Sequence, residues 1–294
     1  MKTNDRKSAI KKLSTLVFSS KSEVVPFRQQ IEKTFKTVII PNNVEKDDVT
    51  MGGVHCDFLV PEIYSQERVI VYVHGGFFIG GSCKSYRGFC ASIANASTTK
   101  VYLPEIRLAP ENPFPAALED VTNLIKSITD KEIILMADGS GASIALGCVY
   151  SMSLTEKQKI KEIILFSPCL DYSPDGQLYT QKKAFDEVLS AEDLRRSADY
   201  YTYHSNQKNP FVSSILANDQ MLENFPEVFI QNGEKELQTD LVRSFAHLMY
   251  SHDIKCTVDT WPDMMFMFQM ADEFLPQAHL AIEKIGMHIQ DREF

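Results

Sequence analysis

From Val69 onward the chain alternates short apolar, β-branched runs with segments of helical spacing. No other feature of its 294 residues constrains the fold as much. The runs are Val69 to Val73, Lys100 to Leu103, Glu132 to Met136, Lys161 to Phe166, Glu227 to Gln231 and Lys255 to Trp261. They have the length of strands, and the most apolar of them, such as Val69 to Val73, read as strands buried on both faces. Between them, Pro115 to Ile128, Ser143 to Tyr150, Asp240 to Ser251 and Gln277 to Ile289 repeat apolar residues as helices do. Strands joined through helices require crossover connections. The expected architecture is therefore α/β, with a mostly parallel central sheet covered by helices on both faces.

Upstream, Lys7 to Val17 and Pro26 to Phe35 read as amphipathic helices, and Asp48 to Met51 and Val54 to Val60 as strands meeting at the turn Gly52-Gly53. The interval from Asp171 to Pro226 breaks the alternation with helix-like, aromatic-rich sequence. No Pro/Gly/Ser-rich linker divides the chain, so residues 1–294 are expected to form one domain. A helical cap is expected from about 1–45 and an insertion at about 171–226, over the carboxyl ends of the strands, where such sheets hold ligands.

The formal charge of −9 carries no long block of one sign and speaks against nucleic acid as a partner. No apolar run approaches the roughly 18 residues of a membrane span, and the first residues lack the apolar stretch of a secretory signal. A cytoplasmic protein is expected. The six cysteines, at 56, 83, 90, 148, 169 and 256, have no C-x-x-C spacing and read as reduced thiols. The seven histidines are scattered without H-E-x-x-H, so neither a bound metal nor a cofactor is expected.

The segment EIILMADGSGASIALGCV, Glu132 to Val149, joins a buried strand to a helix through a turn of small residues. In the G-x-S-x-G elbow of serine hydrolases such a turn holds the nucleophile in a strained backbone that lifts its hydroxyl into the pocket. Centred on Gly139, the segment reads Ala137, Asp138, Gly139, Ser140, Gly141: the spacing fits and the hydroxyl is absent. Centred on Ser140, the flanks become Asp138 and Ala142 and the fit is worse. In isolation, any Gly-rich turn after a strand would read much the same way.

Four further segments carry a resemblance. They are VYVHGGFFIGGS (Val71 to Ser82), IRLAPENPFPAALEDV (Ile106 to Val121), VFIQNGEKELQTD (Val228 to Asp240) and WPDMMFMFQM (Trp261 to Met270). With the elbow they resemble the hormone-sensitive lipase family of α/β-hydrolases, a carboxylesterase group, over nearly the whole chain from about Val69. The resemblance implies the α/β-hydrolase fold and an oxyanion hole built from the N–H groups of Gly75, Gly76 and Ser140. It puts Glu236 at the place of the triad acid, Gly139 at that of the nucleophile and Phe266 at that of the histidine. Alone, the HGG run could be a tight turn and Glu236 a surface carboxylate. Arg107, Pro113 and Asp120 read as structural, and Glu234 and Asp240 as loop or solvent-facing groups.

Glycine has no nucleophile and phenylalanine carries no proton, so the triad chemistry lacks two of its three parts. Three residues near the gap are the candidates to substitute. Ser140 is expected to point along the first helical turn, His74 to support the HGG loop as a structural ring, and Asp138 to anchor a loop. Three functions remain open. The first is a pseudo-enzyme that has lost or nearly lost ester hydrolysis and keeps the oxyanion hole, with a pocket for a small apolar ester or carboxylate. The second is a weakly active or unusual carboxylic-ester hydrolase, and the third a non-catalytic interaction protein. The resemblance also implies pairing into a homodimer through Lys255 to Ile289.

Overall fold

Apolar β-branched sequence supplies the centre of an eight-stranded sheet whose inner strands are wholly shielded from solvent, as at Ile70, Val71, Ile134, Leu135, Ile164 and Ile230. The structure, a computed structural model, describes residues 3–36, 39–130, 132–180 and 186–292. The parts of the expected cap at 1–2, 37–38 and 181–185 lie outside the described residues. The strands are β1 (Val44–Met51), β2 (Val54–Pro61), β3 (Arg68–Val73), β4 (Lys100–Pro104), β5 (Glu132–Asp138), β6 (Ile160–Phe166), β7 (Glu227–Gly233) and β8 (Cys256–Trp261). Their order is β1-β2-β4-β3-β5-β6-β7-β8. The β1–β2 hairpin and the β2–β4 pair are antiparallel, and the pairs from β4 through β8 are parallel.

The helices are α1 (Thr3–Leu13), α2 (Val24–Phe35), α3 (Cys83–Ser97), α4 (Ala116–Ser127), α5 (Gly141–Ser151) and α6 (Leu154–Lys157). There follow α7 (Gln177–Thr180), α8 (Ala191–Tyr201), α9 (Asp219–Leu222), α10 (Thr239–Tyr250) and α11 (Pro276–Gln290). The α/β architecture expected from the alternation is thus the observed one. Elements β1 and α3, and the short α6, differ from the sequence expectation. Strand β1 begins at Val44, earlier than its apolar pattern, because Glu45, Asp47 and Asp48 face solvent. Helix α3 has no counterpart among the helical segments identified above. Ten of its fifteen residues are buried, Lys84, Arg87, Ser92 and Asn95 form its more exposed polar stripe, and its start is marked by Ser82 and Ser85 in a capping box.

Guanidinium groups tie the N-terminal helices to the rest of the molecule. Arg28 on α2 donates to the carbonyls of Ile79 (2.7 Å) and Ala109 (2.9 Å). Arg196 on α8 donates to the carbonyls of Ser20 and Ser22 and lies 4.9 Å from the ring centre of Phe18. Arg6 on α1 pairs with Glu187 and donates to the carbonyl of Asp263 at 2.8 Å. Among the described residues no helix is long and apolar enough to cross a membrane. All six cysteines are free and buried.

Candidate functional site

The turn between β5 and α5 is dictated by how close the helix passes to β3. A Cβ on Gly141 would stand 2.3 Å from the carbonyl oxygen of Val73, so only glycine allows α5 to start there. Two residues earlier, Gly139 adopts φ +47°. Its N–H donates to Phe166 O at 3.1 Å, and its carbonyl accepts from Cys169 N–H at 2.9 Å. These bonds hold the left-handed turn from both sides. The space above Gly139 is different: a Cβ there would meet one atom within 4 Å, Cζ of Phe266 at 3.5 Å. The site leaves room for a side chain and places Phe266 directly beside it.

Phe266 is buried and lies edge-on to Phe77, with ring centres 6.4 Å apart. Its segment is anchored one residue on, where the N–H of Met267 donates to Ser167 Oγ at 3.0 Å. Ser167 in turn donates to Glu236 Oε1 at 2.7 Å, and the N–H of Gly233 donates to the same oxygen at 2.5 Å. Glu236 Oε2 has no partner among the described residues. Burial outweighs these two bonds and pushes the carboxyl of Glu236 up to about 8, so it is largely protonated at neutral pH. Its sequence neighbours behave as loop groups: Glu234 accepts from the N–H of Asp263, and Asp240 pairs with Arg243 on the surface.

The loop after β3 carries three consecutive left-handed residues, Gly76 (φ +95°), Phe77 (φ +61°) and Phe78 (φ +64°). Two aromatic residues in that region are costly, and the second, Phe78, is held by surrounding bonds. The N–H of Phe78 donates to Ser140 Oγ at 3.1 Å, and the carbonyl of Phe78 accepts from Ala109 N–H at 2.9 Å. Ser140 therefore binds the loop through its hydroxyl rather than lying along its own helical turn. His74 Nδ1 donates to Gly75 O at 2.8 Å and the ring stacks on Tyr86 with centres 5.1 Å apart, which is the supporting role expected for it. Its burial lowers the imidazole below its ordinary value and keeps it neutral.

Asp138 is the hub beneath this loop. It accepts from Tyr72 Oη (2.9 Å), Tyr86 Oη (3.0 Å) and the N–H of Gly75 (2.9 Å). Burial raises its carboxyl to about 7, opposed by those three donors. The bond to Gly75 corrects one expectation: that N–H is committed to Asp138 and is not available to a ligand. The N–H groups of Gly76, Phe77 and Ser140 donate to no protein group among the described residues, and all three residues are buried. Buried donors without acceptors are uncommon and call for an explanation. The sequence reading missed Phe77 because the HGG run draws attention to its glycines, whereas the donor belongs to the backbone whatever the side chain.

One cluster among the described residues has metal-ligand side chains, Asp48, His55 and Asp57 on the β1–β2 hairpin. Lys46 already pairs with Asp48 (2.6 Å) and Arg87 with Asp57 (2.6 Å), so the carboxylates are neutralised by cations. Arg107 is bonded to Asp120 and to the carbonyl of Ala116, a structural clamp as expected.

A family model described as alpha/beta hydrolase fold matches residues 70–270. An acetyl-hydrolase of Streptomyces hygroscopicus is 26% identical over 249 residues, covering 83% of this chain and 82% of its own. An esterase of Acinetobacter venetianus is 27% identical over 255 residues, covering 84% of this chain and 83% of its own. Among solved structures, an esterase from the bacterial hormone-sensitive lipase family superimposes with a TM-score of 0.89 at 21% identity, over 99% of this chain and 98% of that one.

Proposed function

The chain belongs to the alpha/beta hydrolase family, is carboxylesterase-like in sequence and fold, and on that premise we propose that it has lost, or all but lost, triad-driven ester hydrolysis while keeping a cradle for a polarised ligand oxygen. One observation carries this reading. The place for a nucleophile's Cβ, above Gly139, is 3.5 Å from the ring of Phe266, so the positions of nucleophile and base adjoin and both lack the required chemistry. Glu236, which would orient an imidazole, is left with an unpartnered, buried oxygen.

In a triad the histidine takes the serine proton and returns it to the leaving group, while the acid holds and stabilises the imidazolium. Removing serine or histidine from a serine hydrolase has cost on the order of a millionfold in turnover. What persists, roughly a thousandfold over water, comes from the oxyanion hole and from positioning. Here that residual cradle consists of the N–H groups of Gly76, Phe77 and Ser140. It suits the carbonyl or carboxylate oxygen of a small apolar ligand, whose body would lie against Phe77 and Phe266. The N-terminal helices and the described parts of the 171–226 interval act as the cap over this site. The bonds from Arg28 to Ile79 and from Arg196 to Ser20 and Ser22 support that role.

The same unpaired N–H groups favour a second reading, slow hydrolysis of activated esters without a covalent intermediate. Labelling with a fluorophosphonate probe and burst release of nitrophenol from p-nitrophenyl butyrate test both. The expected results are no label and no burst, with at most a slow linear release. A stoichiometric burst or covalent labelling of any side chain would overturn the proposal.

A further inference from the structure

The turn that carries Gly76 and Phe77 is gripped from outside by a cation. Helix α2 packs against the far end of this turn: a Cβ on Gly80 would stand 2.7 Å from Cε1 of Phe27 and 2.9 Å from Cδ1 of Ile31. Between those two apolar residues in the sequence, Arg28 donates from Nε to the carbonyl of Ile79 at 2.7 Å and from Nη2 to that of Ala109 at 2.9 Å. Glu111 holds the outer edge of the guanidinium, with its carboxylate oxygens 3.0 Å from Nη1 and 2.6 Å from Nη2.

The Ile79 carbonyl is one end of a relay. It shares a peptide unit with the N–H of Gly80, which donates to the carbonyl of Gly76 at 2.9 Å. The Gly76 carbonyl shares its own unit with the N–H of Phe77, a donor left without a protein acceptor among the described residues. Both units are trans, and in a trans unit the C=O and the N–H point in opposite directions. Holding the Ile79 oxygen therefore sets the Gly80 N–H. Holding the Gly76 oxygen, which also accepts from Ile79 N–H at 3.1 Å, sets the direction of the Phe77 N–H. Charge travels along the same line, because each hydrogen bond in a chain polarises the next, and a cation at one end makes the last N–H a stronger donor. The turn needs such a grip, since its left-handed residues are costly to hold.

We propose that Arg28 is a positioning residue of the cradle, acting through the Ile79–Gly80 and Gly76–Phe77 peptide units to aim and polarise the Phe77 N–H toward the oxygen of the ligand. This role presupposes the cradle proposed for the site. It makes α2 part of the site's chemistry, beyond covering it.

Amide spectra of the isotope-labelled full chain, with titration by sodium butyrate, test the assignment in Arg28→Ala, Arg28→Lys and Arg6→Ala. Arg6 ties α1 to Glu187 and Asp263 and bonds to no residue of the turn among the described residues, so its variant reports the loosening of an N-terminal helix alone. Arg28→Ala should move the Phe77 N–H proton signal upfield and weaken butyrate about tenfold or more, the size of one lost hydrogen bond to a charged group. Arg28→Lys, which keeps the charge and loses the fork that spans two carbonyls, should recover part of both. Arg6→Ala should leave both at the parent's values. An unmoved Phe77 signal in Arg28→Ala, or equal changes in Arg6→Ala, would overturn the proposal. Should Arg28→Ala fail to fold, Arg28→Lys decides, and parent-like values of both readouts would overturn it. If butyrate moves neither the Gly76 nor the Phe77 signal in the parent, the cradle reading falls, while the Phe77 signal in the variants still judges the relay from Arg28.

Discussion

A Cβ built on Gly139 comes within 3.5 Å of Cζ of Phe266, although the two residues lie on loops after different strands. This proximity ties the two unusual positions of the chain into one site. It also shows that the glycine is not forced by lack of space. The contrast is Gly141, where a Cβ would collide with the backbone of β3 at 2.3 Å. At Gly139 the constraint is the left-handed backbone, which glycine adopts freely and other residues at a cost.

It follows that Gly139→Ser should fold but melt lower. A side chain held at φ near +47° costs about 1 to 3 kcal/mol, which for a chain of this size lowers the melting temperature by roughly 2 to 6 °C. Differential scanning calorimetry of parent and variant measures it. A variant melting above the parent would mean that the turn is not strained for a side chain.

Ser167 is the link between the acid and the loop that carries Phe266, since it donates to Glu236 and accepts from Met267. Ser167→Ala leaves a buried carboxyl oxygen with one bond fewer and a buried N–H with none. The expected loss is about 2 kcal/mol or more by urea unfolding, with faster exchange of the Met267 amide. An unchanged midpoint would show that the bridge contributes nothing to stability.

Glu236 gives a pH signature. Its carboxyl is raised from 4.5 to about 8 by burial, so between those values the folded protein holds a proton that the unfolded chain has released. The contribution of this group therefore favours folding least at high pH, and stability attributable to it falls as pH rises from about 4.5 through 8. Asp138 acts in the same direction between its ordinary value of 3.8 and about 7. Glu236→Gln removes the Glu236 titration and keeps an acceptor for Ser167 and Gly233. The melting temperature of the variant relative to the parent should climb between pH 5 and pH 9. A difference that stays flat across that range would show that Glu236 ionises normally.

Much of this was legible in the chain. Alternating apolar and helical runs gave the parallel sheet, and Gly52-Gly53 gave the hairpin, because these signals are local. The elbow was legible because Gly141 and Gly139 answer two different local demands, close approach and a left-handed turn. Helix α3 was not read, although Lys84, Arg87, Ser92 and Asn95 give it a polar stripe and Ser82 a cap. The bond from Gly75 N–H to Asp138 was also hidden. It depends on where the ends of β3 and β5 meet, and no spacing between residues 75 and 138 encodes that meeting. The two-tyrosine support of Asp138 belongs to the same class, with partners drawn from β3 and α3.

The central claim is that a hydrolase site persists here with its attacking atom and its base both missing and its cradle intact. The most direct measurement is the rate of p-nitrophenyl butyrate hydrolysis by Gly139→Ser, Phe266→His and the double variant. Because serine and histidine act as a unit, the double variant should exceed either single one by at least about a hundredfold and should label with fluorophosphonate. A double variant no faster than the better single one would contradict the account.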